Sequence, residues 1–174
     1  MADLSGSTGA RARFALVNVV GGLAVLGSYA IWLSDRPTDA GRLWGTIEGP
    51  LRSGYLLSMV LATAGYFAFA PALLRAEPDR IGLDRATFLL GLVLFPSALW
   101  MPLAFEFLAH PGPLSWWAMR ATLLVVGLAS LALAAWIFRR RDRIPGGNLA
   151  AAGAIAFTVQ TLVLDAFVWP ARFP

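Results

Sequence analysis

Four side chains with the means to do chemistry fall in or beside long apolar runs: Glu106, His110, Arg120 and Asp165. Glu106 and His110 are four residues apart and share one face of a helix. That pairing suits general acid–base exchange, as in a membrane isomerase. Arg120 supplies a countercharge for Glu106, for Asp165 or for the carboxylate of a ligand. The plainer reading is a structural ion pair, with Arg120 reaching out to the headgroups on its aliphatic stem. For Glu106 the pocket reading is favoured, because a short carboxylate cannot reach far. A charge inside a span costs roughly 2.5–3.5 kcal/mol at the bilayer centre, so such residues face the interior or water and find partners.

Composition removes many alternatives. Of 174 residues, 58% are hydrophobic and 14% are charged, far from the usage of a water-soluble domain. The positive charge is all arginine. Without lysine there is no Schiff base and no amine nucleophile. Without cysteine there is no thiolate metal site, iron–sulfur cluster or disulfide framework. The single histidine cannot ligate a haem from both sides. The net charge of +4 does not indicate nucleic-acid binding, since the arginines gather in short loops between apolar runs.

Those loops define the elements that must position the polar residues. A span needs about twenty apolar residues. Five segments reach that length: Phe14–Leu33, Ser53–Leu74, Ala86–Leu108, Leu114–Phe138 and Leu149–Trp169. They do not alternate, and in lipid an unpaired backbone forces helices. The expected fold is therefore all-α, a single-domain integral membrane bundle of five transmembrane helices. The first run is read as a retained span rather than a signal peptide, because it is long enough to cross and lacks a clear cleavage site. "SDRPTDAGRLWGTIEGPLR" is the one long loop. The other connections are short turns with Pro or Gly, which predicts that sequential helices pack side by side.

Arginine placement predicts orientation. With the N-terminus inside, the inner side holds Arg11, Arg13, Arg75, Arg80, Arg85, Arg139, Arg140, Arg141 and Arg143, and the outer side Arg36, Arg42, Arg52 and Arg172. This places the N-terminus in the cytoplasm and the C-terminus outside, in a multi-pass protein of the bacterial cell membrane. Glu106, Arg120 and Asp165 then share one depth in the outer leaflet. Trp32, Trp116, Trp117 and Trp136 read as interfacial anchors. Trp100 lies deeper and precedes Pro102, which frees a backbone carbonyl and bends the helix, so it is a candidate for lining a cavity. "GGLAVLGS" and "LATAGY" supply small residues for close helix contact.

Three stretches carry a resemblance. "GPLRSGYLLSM" keeps Gly49, Pro50 and Met59, with Tyr55 one place early and Arg52 in a position usually held by Trp. "SALWMPLAF" keeps Trp100, Pro102 and Phe105, with Ser97 for Asn. "LDAFVW" keeps Leu164 and Trp169, with Asp165 for Asn. Together with five short-looped helices and many tryptophans, this resembles the tryptophan-rich sensory protein / translocator protein family, the peripheral benzodiazepine receptors. The resemblance implies a pocket between the helices, capped by the first loop, that takes porphyrins, sterols or similar molecules. It places Trp100, Pro102, Phe105, Asp165 and Trp169 around that pocket and Trp44 in its lid. It also implies a homodimer. Arg52 and Asp165 make this pocket more charged than the family's.

The favoured reading is a non-enzymatic membrane protein that binds a hydrophobic or tetrapyrrole-like ligand, with no required cofactor or metal. Apolar burial drives binding, and Arg120 or Arg52 orients an acidic group. Two readings compete: an accessory subunit of a larger, pigment-containing membrane complex, and a membrane isomerase using Glu106 and His110. The partners expected are the lipid bilayer, a hydrophobic small molecule or lipid, and a second copy or a membrane complex, with no nucleic acid.

Overall fold

The computed structural model describes residues 4–173. Five helices in it are long and apolar enough to cross a membrane, and no strand occurs among the described residues. Helix α1 covers Leu4–Asp35 and α2 covers Gly49–Arg75. A single turn, α3 (Pro78–Ile81), precedes α4 (Leu83–Ala109). Then come α5 (Pro113–Arg140) and α6 (Gly147–Thr158), and α6 continues without interruption as a π-helix over Val159–Val168. These helices enclose the five expected spans, except that the last ends one residue short, at Val168. The first extends well beyond its expected start.

Local chemistry sets the boundaries. Pro50, Pro78 and Pro113 stand in the first turns of α2, α3 and α5, where a missing N–H costs nothing. Gly82 and Gly146 adopt left-handed φ values of 69° and 67°, turning the chain sharply into α4 and α6. Pro96 and Pro102 lie inside α4, where each removes the N–H that a carbonyl one turn earlier would accept from.

The helices form an open chain of neighbours in the order α1, α4, α5, α6, α2, with α1 and α2 touching only sparsely. This corrects the expectation that short connections make sequential helices neighbours. It holds for α4–α5 and α5–α6, but α2 leaves its short connection to pack on α6, while α4 packs on α1. Glycines explain the choice. A Cβ on Gly65 of α2 would lie 2.3 Å from the Gly153 carbonyl oxygen of α6, and one on Gly153 would lie 2.6 Å from the Gly65 oxygen. Backbone meets backbone there, and with little hydrophobic drive inside lipid such close contact is what holds helices together. Gly21 of α1 against Leu94 of α4 is a second close approach.

Two large interior clusters occupy the bundle, with a small third one of Val93, Val126 and Ala129. At the arginine-rich end, Phe14, Phe69, Leu73, Leu90, Leu133 and Ile137 pack together. At the other end, Leu43 and Ile47 of the first loop join Tyr55, Met101, Phe105, Met119, Trp169 and Phe173. Leu16, Leu23, Leu57, Val60, Phe67 and Phe88 stay exposed around the outside, which suits a surface solvated by lipid.

Candidate functional site

Asp165 is the centre of the polar interior. Its Oδ1 accepts a hydrogen bond from the Tyr55 hydroxyl of α2 at 2.6 Å and from Gln160 Nε2 at 2.8 Å. The second bond depends on the π-helix. In a regular α-helix, residues five apart point about 140° away from each other. The i→i+5 winding of a π-helix brings them close to one face. The Trp169 N–H donates to the Leu164 carbonyl at 2.7 Å and closes this wide turn. Gln160 is buried, and its Oε1 has no hydrogen-bond partner.

An aromatic wall stands beside this cluster. Trp100 of α4 packs on Tyr29 of α1, ring centroids 5.8 Å apart, and edge-on against Trp169 at 5.4 Å. Trp169 stacks on Phe173 at 4.1 Å. The Trp100 Nε1 is buried and unpaired. Each such buried, unmatched donor or acceptor costs roughly 1–3 kcal/mol and calls for an explanation. Phe105, fully buried, stacks on Trp32 at 5.8 Å.

The first loop forms a roof. A short 3₁₀ turn, Ala40–Trp44, sets Leu43 and Ile47 into the interior. Trp44 meets Tyr55 edge-on at 5.9 Å, so the roof touches the residue that holds Asp165. Arg52 lies over the Trp44 ring at 4.6 Å, an exposed cation–π contact rather than a charge inside the bundle. Two ties bind the roof to the C-terminal segment. The Trp169 Nε1 donates to the Leu43 carbonyl at 2.7 Å. The Thr46 N–H and hydroxyl both donate to the Arg172 carbonyl, at 2.9 and 3.1 Å. Gly45 makes the second tie possible: its φ is +51°, and a Cβ there would lie 2.2 Å from the Arg172 oxygen.

The expected ionic trio does not assemble. Glu106 faces outward with 56% of its side chain exposed, and its Oε1 lies 3.1 Å from His110 Nδ1. Arg120 lies between the Trp116 and Trp117 rings of its own helix, at 5.6 and 5.7 Å, and has no ion pair with either carboxylate. Its Nε is buried and unpaired. Similar depth therefore did not mean a shared face. Glu106 is met by the side chain one turn along its helix, and Asp165 by two neutral donors. Of the sequence-derived candidates, Trp44, Trp100, Asp165 and Trp169 are brought together with Tyr55. Phe105 with Trp32 belongs to the same interior cluster. Pro102 is half-buried in α4, one turn from Glu106. Arg52, Glu106 and Arg120 lie at the margin.

Sequence reasoning missed Tyr29, Gln160, Leu43 and Phe173 as members. Gln160 carried a signal, an amide in an apolar run. Its alignment with Asp165 required helix winding that residue spacing does not announce. Tyr55 was legible only as part of a motif. The chain matches no family model, no curated protein and no solved structure.

Proposed function

We propose that this protein binds a hydrophobic, porphyrin-like molecule between its helices, beneath the first loop. The observation that carries this reading is the Tyr55–Asp165–Gln160 cluster, set inside the spans on a π-helix and roofed by an aromatic loop. A bundle that needed only to be stable would gain from apolar packing there. Unmatched polar groups inside lipid are costly, and intramembrane carboxylates mark function by default. π-helical segments also concentrate at functional sites, since they cost regular hydrogen bonding to re-aim side chains. Here the winding turns Gln160 toward Asp165 and leaves its Oε1 free.

In this reading the ligand enters when the roof lifts. The roof is held by three side-chain and backbone hydrogen bonds plus ring contacts, few enough to open on a binding timescale. Trp100 and Trp169 then stack against the ligand, and Trp100 Nε1 and Gln160 Oε1 meet its polar edge. The resemblance to the translocator family supports the same placement of Trp100, Asp165 and Trp169 and extends the reading to a homodimer, while the arginine placement puts the loop outside a bacterial cell. No chemical step is required of the site.

Titrating the detergent-solubilised protein with protoporphyrin IX tests this. Saturable quenching of tryptophan fluorescence is expected, weakened at least about tenfold in Trp100→Ala and in Asp165→Leu, with both variants retaining their helical spectrum. Non-saturating quenching, or affinity unchanged in both variants, would overturn the reading.

A further inference from the structure

A second site stands at the opposite end of the bundle, independent of the one above. A cleft of about 360 Å³ opens between the start of α4 and the end of α5. Arg85 contributes from the first turn of α4, and Arg139 and Arg140 from the last turn of α5. Leu89, Ala135 and the Trp136 ring line the apolar part, which continues toward the membrane-spanning section of both helices. We propose that this cleft binds the phosphate headgroup of an anionic phospholipid, with the upper part of an acyl chain along the α4–α5 groove.

Charge is the first support. Arg85, Arg139 and Arg140 have no carboxylate partner among the described residues. Of the acids at this end, Asp84 takes a bidentate contact from Arg13 at 2.8 and 3.0 Å and Glu77 pairs with Arg80, while Asp142, two residues past Arg140, makes no ion pair with it. Among the described residues, the segments at this end carry nine arginines against four carboxylates, an excess of positive charge to which the three in the cleft belong. Guanidinium groups match phosphate oxygens in paired, planar hydrogen bonds.

Preorganisation is the second. Arg140 lies over the Trp136 ring at 4.8 Å, which restrains its long side chain before any ligand arrives. Trp136 is 4% exposed and lines the cleft, so the ring that holds Arg140 is itself fixed in the core. Depth is the third support. All three arginines stand at the ends of spans, where headgroups lie, and basic recesses between helices at that level fit anionic headgroups. A free phosphate would meet the arginines but would have no use for the apolar wall.

Native mass spectrometry of the purified protein in mild detergent tests the assignment, with dioleoyl-phosphatidylglycerol, dioleoyl-phosphatidylcholine and inorganic phosphate as probes. One phosphatidylglycerol should bind at least about fivefold more tightly than phosphatidylcholine. Arg139→Gln with Arg140→Gln should abolish that preference, and Arg85→Gln, on the other wall, should reduce it. Arg75→Gln, at the same end on α2, should leave it unchanged. Thermal unfolding in detergent confirms that the variants are folded. Equal binding of the two lipids, a preference that survives in the double variant, or a loss of preference equally large in Arg75→Gln, overturns the proposal. Displacement of the lipid by millimolar inorganic phosphate overturns the lipid assignment in favour of a simple anion site.

Discussion

The Trp169 indole donates a 2.7 Å hydrogen bond to the Leu43 carbonyl, joining residues 126 positions apart and fastening the first loop to the end of the last span. Trp169 is 5% exposed, so the bond is shielded from water, and the same ring supports Trp100 below it. The roof and the aromatic wall are thus one structure, and disturbing either should be felt by the other.

Trp169→Phe keeps an aromatic ring, though a smaller one, and deletes the donor, leaving the Leu43 carbonyl without it. The cost expected is roughly 1–3 kcal/mol, spent mostly on loosening the roof. Trypsin cleavage after Arg42, an exposed loop residue, should accelerate several-fold in the variant. An unchanged rate for the fragment ending at Arg42 would show that the bond does not hold the loop.

Tyr55 and Gln160 should be coupled to Asp165. Removing one partner of a buried hydrogen bond costs about 1–3 kcal/mol. Tyr55→Phe is therefore expected to destabilise by that order. In a double-mutant cycle with Asp165→Leu, the Tyr55→Phe cost should largely vanish, giving an interaction energy of at least about 1 kcal/mol. Denaturant titration in detergent reads it. Additive costs would mean the two side chains are neighbours without being partners.

Gly65→Ala should prise α2 from α6, because both sides of that contact are backbone and neither can rotate away. Overpacking of this kind costs about 1–3 kcal/mol. Gly22→Ala, on α1 with nothing within 4 Å of its new Cβ, is the matched comparison. It should be neutral or stabilising by up to about 1 kcal/mol, as expected for alanine in a helix interior. Thermal unfolding of the pair decides between a specific packing role and a general glycine effect.

Glu106→Gln should change little. The Glu106–His110 pair is exposed on both sides, and such pairs contribute about 0–1 kcal/mol. Protoporphyrin affinity should match the parent protein, in contrast to Trp100→Ala. A tenfold loss in Glu106→Gln would return this carboxylate to the site from which its outward orientation removes it.

Several features were legible in the residues alone. Five apolar runs of spanning length can only be helices, because lipid offers no partner for an open backbone. Arginine, proline and glycine placed the boundaries of those helices closely, except the start of α1, which lies at Leu4 rather than Phe14. Asp165 could be singled out as a charge in an apolar run and Trp100 by its depth beside Pro102, while Trp169 was indicated only by the family resemblance. What the run cannot convey is direction around the helix axis once the winding changes. Glu106 and Asp165 looked equivalent at similar depth, but α4 turns one outward and the π-helix turns the other toward Gln160. Neighbour order was equally hidden: short loops favour adjacency, but the Gly65–Gly153 backbone contact draws α2 to α6 instead. Burial depth follows from composition. Partnership follows from which backbones can approach, and only the folded bundle decides that.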